Sequence, residues 1–323
     1  MKLARFLLLL VGALLLPGGA CWSQDYPDRP IKLVVPFAPG GGTDVIGRLW
    51  AEAMRLPLGS MFLENQAGAG GTLAAAAVAR ARPDGYTLLL STGGPLFVAG
   101  GNLSYDAAKD LVPVTVLGTT ALAIVVHPSV PARDLKELVE YAKTNPGKLS
   151  YGSAGFGTMS HLAGALFNSL TGADIVHVAY KGGGQFVSDL LGGNLNMGMM
   201  NLTETVVHLH RTDKLRMLAT MGHARHAAMP DVPTAAEQGF SGLIARNFFG
   251  VFAPSATPKA ILARISDATR AAMADGLREK LLAAGYEPYP DLASEAARRF
   301  VRDGADRWTP MIKAIGSKPE SED

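Results

Sequence analysis

Apolar residues along this chain follow two alternating patterns, short continuous runs and stripes spaced three to four residues apart. The run 31–35 is typical of a buried strand, whereas Val45, Ile46 and Leu49 begin a stripe with helical spacing. Strands that alternate with helices favour mainly parallel sheets with helices on both faces, an α/β fold. The pattern predicts strands at 31–35, 61–64, 86–90, 113–126, 149–152, 175–179, 195–200, 214–220 and 247–253, and helices at 43–56, 72–81, 133–144, 159–170, 184–191, 203–211, 258–274, 276–284 and 293–313.

Glycine-rich loops follow four of the predicted strands, at residues 40–42, 91–94, 152–157 and 180–184. A strand, a loop and a helix in this order direct free backbone N–H groups, and the positive end of the helix dipole, at the space above the loop. One such loop is explained by a tight turn alone, because glycine is the default residue there. Four loops at the carboxyl ends of strands favour one polar site that binds an anion.

Two long strand-like segments, 112–128 and 248–258, are bracketed by proline or glycine and enclose a self-contained set of strand–helix units. Such segments are typical of chain crossings between domains. A length of 323 residues also favours about two domains. We therefore expect one lobe from residues 24–121 and 250–323, with residues 122–249 inserted as a second lobe.

The first 23 residues have the pattern of a secretory signal peptide. Lys2 and Arg5 precede an apolar run, which ends in Pro17 and small residues. We expect an exported protein, and the run is shorter than the roughly 20 residues that span a bilayer. The only cysteine, Cys21, lies at the processing site. It carries a lipid anchor, or ordinary cleavage after Ser23 removes it, or cleavage after Ala20 leaves it as the first residue.

Composition excludes some classes of partner. Charged residues make up 18% of the chain and apolar residues 48%, as in ordinary globular proteins. The formal charge of +2 disappears when the leader, with its two basic residues, is removed. Because no basic stripe is visible, we expect no nucleic-acid partner.

Several motifs together resemble one known family. They are Tyr26 to Asp44 with its Pro-Phe-Ala-Pro-Gly-Gly-Gly-Thr-Asp end, Glu64 to Gly71, Arg82 to Leu89, Pro146 to Gly155, Tyr180 to Gly183, Leu190 to Gly193, Met229 to Glu237 and Phe249 to Pro258. Their order and spacing are similar to those of the extracytoplasmic solute-binding receptors of tripartite tricarboxylate transporters, the Bug or TctC family. The resemblance extends from Tyr26 to about Ile315.

The resemblance implies a two-lobed periplasmic-binding-protein fold, type II-like, with the ligand cleft between the lobes and closure by a hinge motion. It implies a monomeric periplasmic receptor, not an enzyme, without cofactor or metal, that binds a small carboxylate and presents it to membrane transporter subunits. Carried over by position, the ligand-binding residues would be Phe37, Ala38, Gly40, Gly41, Gly42, Thr43, Asp44, Ser91, Thr92, Gly93, Gly94, Ser153, Ala154, Gly155, Thr158, His161, Tyr180, Gly183, Asp189, Asn201 and Phe249.

Some of these side chains also have purely structural explanations. Tyr180 is typical of a core edge, Asp189 of a solvated or capping carboxylate, and His161 of a residue packed at the start of a helix. The nearest cations, Lys181 and Arg246, are expected to be exposed.

The chain departs from the family pattern at three places. The loop from Pro95 to Asp106 lacks the usual Asn-Pro, Met200 stands before Asn201 where relatives commonly have an acidic residue, and Asn196 replaces a frequent aspartate. These changes make the edge of the expected pocket less acidic and more apolar.

Two alternatives remain from the residues themselves. Ser153, His161 and Asp189 supply the residue types of a hydrolytic triad, although the sequence around Ser153 is not Gly-x-Ser-x-Gly. A zinc-binding receptor is the other alternative, with ligands from the four histidines between residues 208 and 226, which are His208, His210, His223 and His226. Nucleotide binding is not supported, because no Gly-Lys-Ser/Thr phosphate loop occurs.

Overall fold

The computed structural model describes residues 26–97, 103–292 and 294–314. The expected leader with Cys21, the middle of the loop between Pro95 and Asp106, and the polar tail from residue 317 lie outside these residues.

The chain before the crossing forms strand–helix units close to those that the apolar pattern predicts. The elements are β1 (Ile31–Val35), α1 (Gly42–Ala53), α2 (Arg55–Leu58), β2 (Met61–Asn65), a 3-10 turn (Ala69–Gly71), α3 (Thr72–Ala79), β3 (Thr87–Ser91), α4 (Gly93–Phe97), α5 (Ala107–Asp110) and β4 (Leu111–Val126). The predicted helix at 43–56 is interrupted at Met54, where α1 ends and the short α2 begins.

The inserted part and the return of the chain continue this alternation. The inserted elements are α6 (Leu135–Thr144), β5 (Ser150–Ser153), α7 (Met159–Thr171), β6 (Val176–Ala179), α8 (Gly183–Leu191), β7 (Met197–Asn201), α9 (Glu204–Arg211) and β8 (Arg216–Thr220). The returning elements are β9 (Arg246–Pro254), α10 (Lys259–Ala272), a π-helical turn (Met273–Leu277), α11 (Arg278–Ala283), β10 (Glu287–Pro288) and α12 (Ser294–Ala314).

The strands form two connected sheets that share β4. The first sheet has the order β2-β1-β3-β9-β4, with β10 on β4, and the second has the order β4-β7-β5-β6, with β8 on β4. Strand β4 pairs with β9 as far as Ala121 and with β7 from Leu122 onward. We call the layers built on these sheets the first lobe and the second lobe. Residues 246–249 pair within the first sheet as part of β9.

The sheets are mixed rather than mainly parallel. Pairs at the outer part of each sheet are parallel, namely β1 with β2 and β3, and β5 with β6 and β7. All pairs of β4, and the pair of β3 with β9, are antiparallel. The reason is topological, because the chain leaves the first lobe along β4 and returns along β9 in the opposite direction.

The core explains why the crossing strand has a nearly continuous apolar sequence. Every residue of Leu122–Val126 is buried, since both faces of the second sheet are covered. In the first lobe, the Trp50 indole N–H donates to Thr269 Oγ1 over 3.0 Å, which ties α1 to α10 in a fully buried site. Trp308 and Ile312 of α12 share an apolar cluster with Phe167 of α7, so the last helix packs against both lobes.

Candidate functional site

A cleft of about 350 Å³ lies between the two lobes. The first lobe contributes the loop after β1, the start of α1 and Thr92 after β3, while the second contributes the starts of α7, α8 and α9 and the end of β7. The carboxyl ends of the strands β1, β3, β5 and β7 therefore surround it, which is where open α/β sheets bind ligands.

Four helices begin at this cleft. Each has eight or more residues, and each lines the cleft with residues of its first turn: Gly42 and Thr43 of α1, Met159 and Ser160 of α7, Gly183 and Gly184 of α8, and Glu204 and Thr205 of α9. The first N–H groups of a helix have no acceptor within the helix, and the helix dipole adds a partial positive charge there. Apart from the Glu204 N–H, which donates to the Ala284 carbonyl over 3.3 Å, these helix starts offer the cleft backbone N–H donors suited to an anion.

The start of α1 is held in place by three contacts. The Tyr286 hydroxyl donates to the Gly42 carbonyl over 2.6 Å, and the Asn65 amide donates to the Phe37 carbonyl over 3.0 Å. The Gly40 N–H donates to the Asp44 carboxylate over 3.1 Å. Gly40 has a φ of +84°, a left-handed conformation that favours glycine. These contacts preorganise the loop before any ligand arrives.

The Asp44 carboxylate is buried and hydrogen-bonded, and it does not form part of the cleft surface. It is 3% exposed and accepts hydrogen bonds from Arg48 over 2.9 Å and from Asn65 over 3.0 Å. Burial raises the pKa of Asp44, but the hydrogen bonds from Arg48, Gly40 and Asn65 outweigh it and hold the pKa below its usual range. Asp44 therefore fixes the loop as a charged anchor.

The loop before α7 is fixed by hydroxyl groups. Ser160 Oγ accepts from the Ala154 N–H over 3.0 Å and lies 3.0 Å from Thr158 Oγ1, which donates to the Gly155 carbonyl over 2.6 Å. Ala154, Thr158 and Ser160 all line the cleft. These hydroxyl groups therefore fix the loop that forms this side of the cleft.

The two lobes touch each other through glycine-containing loops. The Ala38 N–H donates to the Lys181 carbonyl over 3.4 Å across the cleft. A Cβ atom at Gly94 would lie 2.9 Å from Thr158 Cα, and one at Gly70 only 2.1 Å from the Phe156 carbonyl oxygen. These distances leave no room for a side chain, so the contact between the lobes depends on glycine at these positions.

Polar side chains in the cleft are neutral with one exception. Thr43 and Thr92 line it from the first lobe, and Asn247 donates its amide to Asn201 Oδ1 over 3.3 Å. Among the described residues that line the cleft, Glu204 is the only one with a formal charge at pH 7. Neutral donors would therefore have to hold an anion here, with hydrogen bonds in place of an ion pair.

The structure brings part of the predicted site together. The predicted residues that line the cleft are Phe37, Gly40, Gly41, Gly42, Thr43, Thr92, Ala154, Thr158, Gly183 and Asn201. The predicted residues that do not line it are Ala38, Asp44, Ser91, Gly93, Gly94, Ser153, Gly155, His161, Tyr180, Asp189 and Phe249. Several of the latter support the lining, as Phe249 does by packing edge to face on Tyr286 with ring centroids 5.1 Å apart.

Sequence reasoning missed another part of the lining. The missed residues are Val45, Met159, Ser160, Gly184, Phe186, Val187, Met199, Met200, Thr203, Glu204, Thr205, Val206, Asn247, Ala284 and Tyr286. The Thr-Glu-Thr run after β7 is a helix-start pattern and could have indicated one more N-terminus at the cleft. Tyr286 has no such signal, because it reaches Gly42 from 244 positions away.

The hydrolytic-triad alternative is wrong. Ser153 Oγ lies 2.7 Å from His177 Nε2, not against His161, and Ser153 is fully buried. His161 Nδ1 accepts from the Gly157 N–H over 3.1 Å, and Asp189 accepts from the Tyr180 hydroxyl over 2.7 Å. The three groups thus have separate partners, and none of them lines the cleft.

The zinc alternative finds no support in the described residues, where two of its four histidines accept backbone hydrogen bonds. His210 Nδ1 accepts from the Met217 N–H over 3.3 Å, and His226 Nδ1 accepts from the Ala228 N–H over 3.2 Å. Over residues 26–97, 103–292 and 294–314, no three His, Cys, Asp or Glu side chains are grouped to hold a metal ion.

Comparison with known proteins identifies the family. The sequence profile of the tripartite tricarboxylate transporter family receptors, TctC, matches residues 46–317. This chain belongs to that receptor family. It is 35% identical to the protein BugT of Bordetella pertussis over 302 residues, which cover 92% of each chain.

Solved structures agree with this membership. The receptor resembles the periplasmic binding protein BugD with a TM-score of 0.86 and 32% identity, over 91% of this chain and all of BugD. It also resembles MatC from Rhodopseudomonas palustris with bound malate, with a TM-score of 0.85 and 32% identity, over 89% of this chain and all of MatC. The fold is therefore the two-lobed fold of periplasmic binding proteins.

The matched family consists of receptors, and BugD is a binding protein. Within the described part of the receptor, no helix combines the length and the apolar character needed to cross a membrane.

Proposed function

We propose that this protein is an extracytoplasmic receptor that binds a small carboxylate, or a related polar metabolite, and catalyses no reaction on it. The observation that carries the proposal is the convergence of four helix N-termini on an interlobe cleft that no basic side chain lines among the described residues. The malate in MatC, a related structure, supports a carboxylate as the ligand class.

The ligand carboxylate lies between the lobes in this proposal. The starts of α1 and α8 approach each other there, since a Cβ at Gly41 would lie 3.8 Å from the Gly183 nitrogen and 3.9 Å from the Gly184 nitrogen. Hydroxyls of Thr43 and Thr92 and ordered waters complete its hydrogen bonds. A ligand that bridges both lobes favours the closed arrangement, because the open one offers it only half of these donors.

The leader directs the protein to the periplasm, where it works as a monomer and hands its ligand to the membrane subunits of a tripartite transporter. Removal of residues 1–23 produces the working form, and a lipid anchor at Cys21 is the alternative. The second lobe moves as an inserted unit against the first, about the two strands that connect them.

Calorimetric titration of the mature protein, residues 24–323, tests the proposal. The panel consists of malate, other di- and tricarboxylates, aromatic and aliphatic monocarboxylates, acidic amino acids and the matching uncharged amides. We expect at least one carboxylate to bind with a micromolar or lower Kd and its amide not to bind. NMR of the titrated mixture should show the ligand unchanged.

Two outcomes would overturn the proposal. Equal affinity for an acid and its amide would show that the cleft has no anion site. Consumption of the ligand would show that the protein is an enzyme. A zinc titration, run separately, should show no stoichiometric binding.

A further inference from the structure

Two asparagine side chains meet over the crossing strand β4. This strand pairs Thr120 with Asn247 of β9 and Leu122 with Asn201 of β7. Paired residues share a face of the sheet, and so do residues two apart in a strand, so both asparagines lie on one face of β4. Asn247 Nδ2 donates to Asn201 Oδ1 over 3.3 Å, and both residues line the cleft. This bond therefore connects the first sheet to the second beside the cleft.

The orientation of the Asn247 amide is fixed by the backbone. The Phe248 N–H donates to Asn247 Oδ1 over 3.1 Å, and an N–H group can only donate. The other end of the amide, Nδ2, is then the end that faces Asn201. Because Nδ2 also can only donate, the atom of Asn201 that it meets is the acceptor Oδ1. Asn247 is 7% exposed, which limits the competition of water for these bonds.

The Asn201 amide is thereby turned with its NH2 group away from Asn247. Asn201 Nδ2 lies 3.4 Å from the Cβ position of Gly42, the first residue of α1 in the opposite lobe. Within the part of the chain that the structure describes, no acceptor takes a hydrogen bond from this nitrogen. The NH2 group can therefore donate to a ligand in the cleft, beside the start of α1.

We propose that Asn247 is a positioning residue for the selectivity of the receptor. It holds the Asn201 amide with the NH2 group towards the cleft, so that the site favours a carboxylate, which only accepts hydrogen bonds, over an amide, which can donate them. A rotated Asn201 amide presents Oδ1 instead and repels a carboxylate at this point. The inference rests on the proposed function and identifies a residue that sets its ligand class.

Asn247→Asp tests the inference with little change of shape. The new side chain keeps an acceptor for the Phe248 N–H but has no donor for Asn201, so the Asn201 amide has to rotate and turn Oδ1 towards the cleft. We expect the affinity for the best carboxylate of the panel to fall about a hundredfold in calorimetry, and the affinity for the matching amide to fall less. Thermal unfolding checks that the variant folds.

A double-mutant cycle separates the rotation from the direct repulsion by the new charge. In the Asn201→Ala background no amide can rotate, so Asn247→Asp should lower carboxylate affinity by a factor about ten times smaller than in the wild-type background. An equal loss in the two backgrounds would show that Asn247 does not act through Asn201. It would overturn the inference and leave the proposed function standing. If the wild-type protein binds no carboxylate, malate included, both fail.

An uncharged variant and a spectroscopic signal complete the test. Asn247→Leu removes the donor without adding a charge and should lower carboxylate affinity about tenfold, but by no more than about twofold in the Asn201→Ala background. In NMR spectra of the wild-type protein, the side-chain NH2 signal of Asn201 is the one that Asn201→Ala lacks. We expect saturation with the carboxylate to shift this signal. An unshifted signal would show that the NH2 group does not face the ligand and would overturn the inference.

Discussion

Gly41 lies where the starts of two helices from different lobes approach each other. Its φ of −79° is accessible to any residue, and a Cβ there would have no contact shorter than 3.8 Å. A side chain at this position is therefore tolerated by the fold, and its effect is confined to the space that the proposed carboxylate occupies. This makes Gly41 a better test of the anion site than the glycines with positive φ.

We predict that Gly41→Glu lowers carboxylate affinity at least a hundredfold, because it places a like charge beside the N–H groups of Gly183 and Gly184. Gly41→Gln has the same length without the charge and should lose less affinity. Calorimetry with the best ligand of the panel measures both, and thermal unfolding checks that both variants fold. Wild-type affinity in the glutamate variant would show that the Gly41 loop is not part of the anion site.

At the residue scale, the sequence predicted which loops line the cleft better than it predicted which side chains do. The position of Gly40, Gly41, Gly42 and Gly183 at the cleft could be predicted, because glycine is typical of a turn between a strand and a helix. Asp44 has the residue type of a site residue but is used to fix the loop, as the bonds from Arg48 and Asn65 show. The direction of a side chain depends on partners distant in sequence, which one sequence does not reveal.

The packing of α7 on β6 depends on two neutral histidines. His161 of α7 and His177 of β6 stack with ring centroids 4.1 Å apart, and Tyr151, Ser153 and Phe156 surround them. Burial lowers the pKa of His161 to about 4, and burial together with the neighbouring His161 lowers that of His177 to about 3. Both imidazoles are neutral in the folded protein at pH 7.

This pair predicts a pH-dependent stability. In the unfolded chain both histidines titrate near a pKa of about 6.5, so between that value and about 3 the unfolded state binds more protons than the folded one. Their contribution is fully present above pH 6.5 and is lost as the pH falls towards 3, by roughly 2 kcal/mol or more. Urea unfolding at pH 7, 5.5 and 4 measures the loss.

Two variants identify the source of that dependence. His161→Gln removes one titrating group and should reduce the change in unfolding free energy between pH 7 and 4. His208→Gln, at an exposed position on α9, should leave it as in the wild type. A wild-type pH dependence in His161→Gln would contradict the prediction.

Among the elements, those with a strong apolar pattern were predicted and those without one were missed. The strand at 31–35 and the helix from 159 are confirmed, since a buried run and an apolar stripe define them. Helix α4 (Gly93–Phe97) was missed because two glycines and Pro95 argue locally against a helix. Strand β10 has two residues and pairs only through contacts with β4, so no local pattern exists for it.

At the scale of the whole molecule, the glycines at the edge of the cleft allow the two lobes to meet, because they have no side chain. The lobes are connected through β4, whose pairing partner changes between Ala121 and Leu122, and they touch across the cleft through Gly70, Gly94 and Gly182. A closed arrangement therefore needs small residues at the edge, in addition to a ligand inside. Under the proposed function, affinity and closure are linked, because the ligand gains its second set of donors only when these loops approach.

We predict that a saturating carboxylate decreases the radius of gyration of the wild-type protein in small-angle scattering. The variant Gly70→Ala should show a smaller decrease and should bind the ligand about tenfold more weakly. The Cβ atom would meet the Phe156 carbonyl oxygen at 2.1 Å in the present arrangement of the lobes, and opening of the cleft would relieve this contact. Gly147→Ala is the control, because Gly147 also has a positive φ of +73° but nothing lies within 4 Å of its Cβ position. Both variants place an alanine at a positive φ, so a difference between them reports the contact across the cleft. Equal affinity and equal compaction in the two variants would mean that the ligand binds without bringing these loops together.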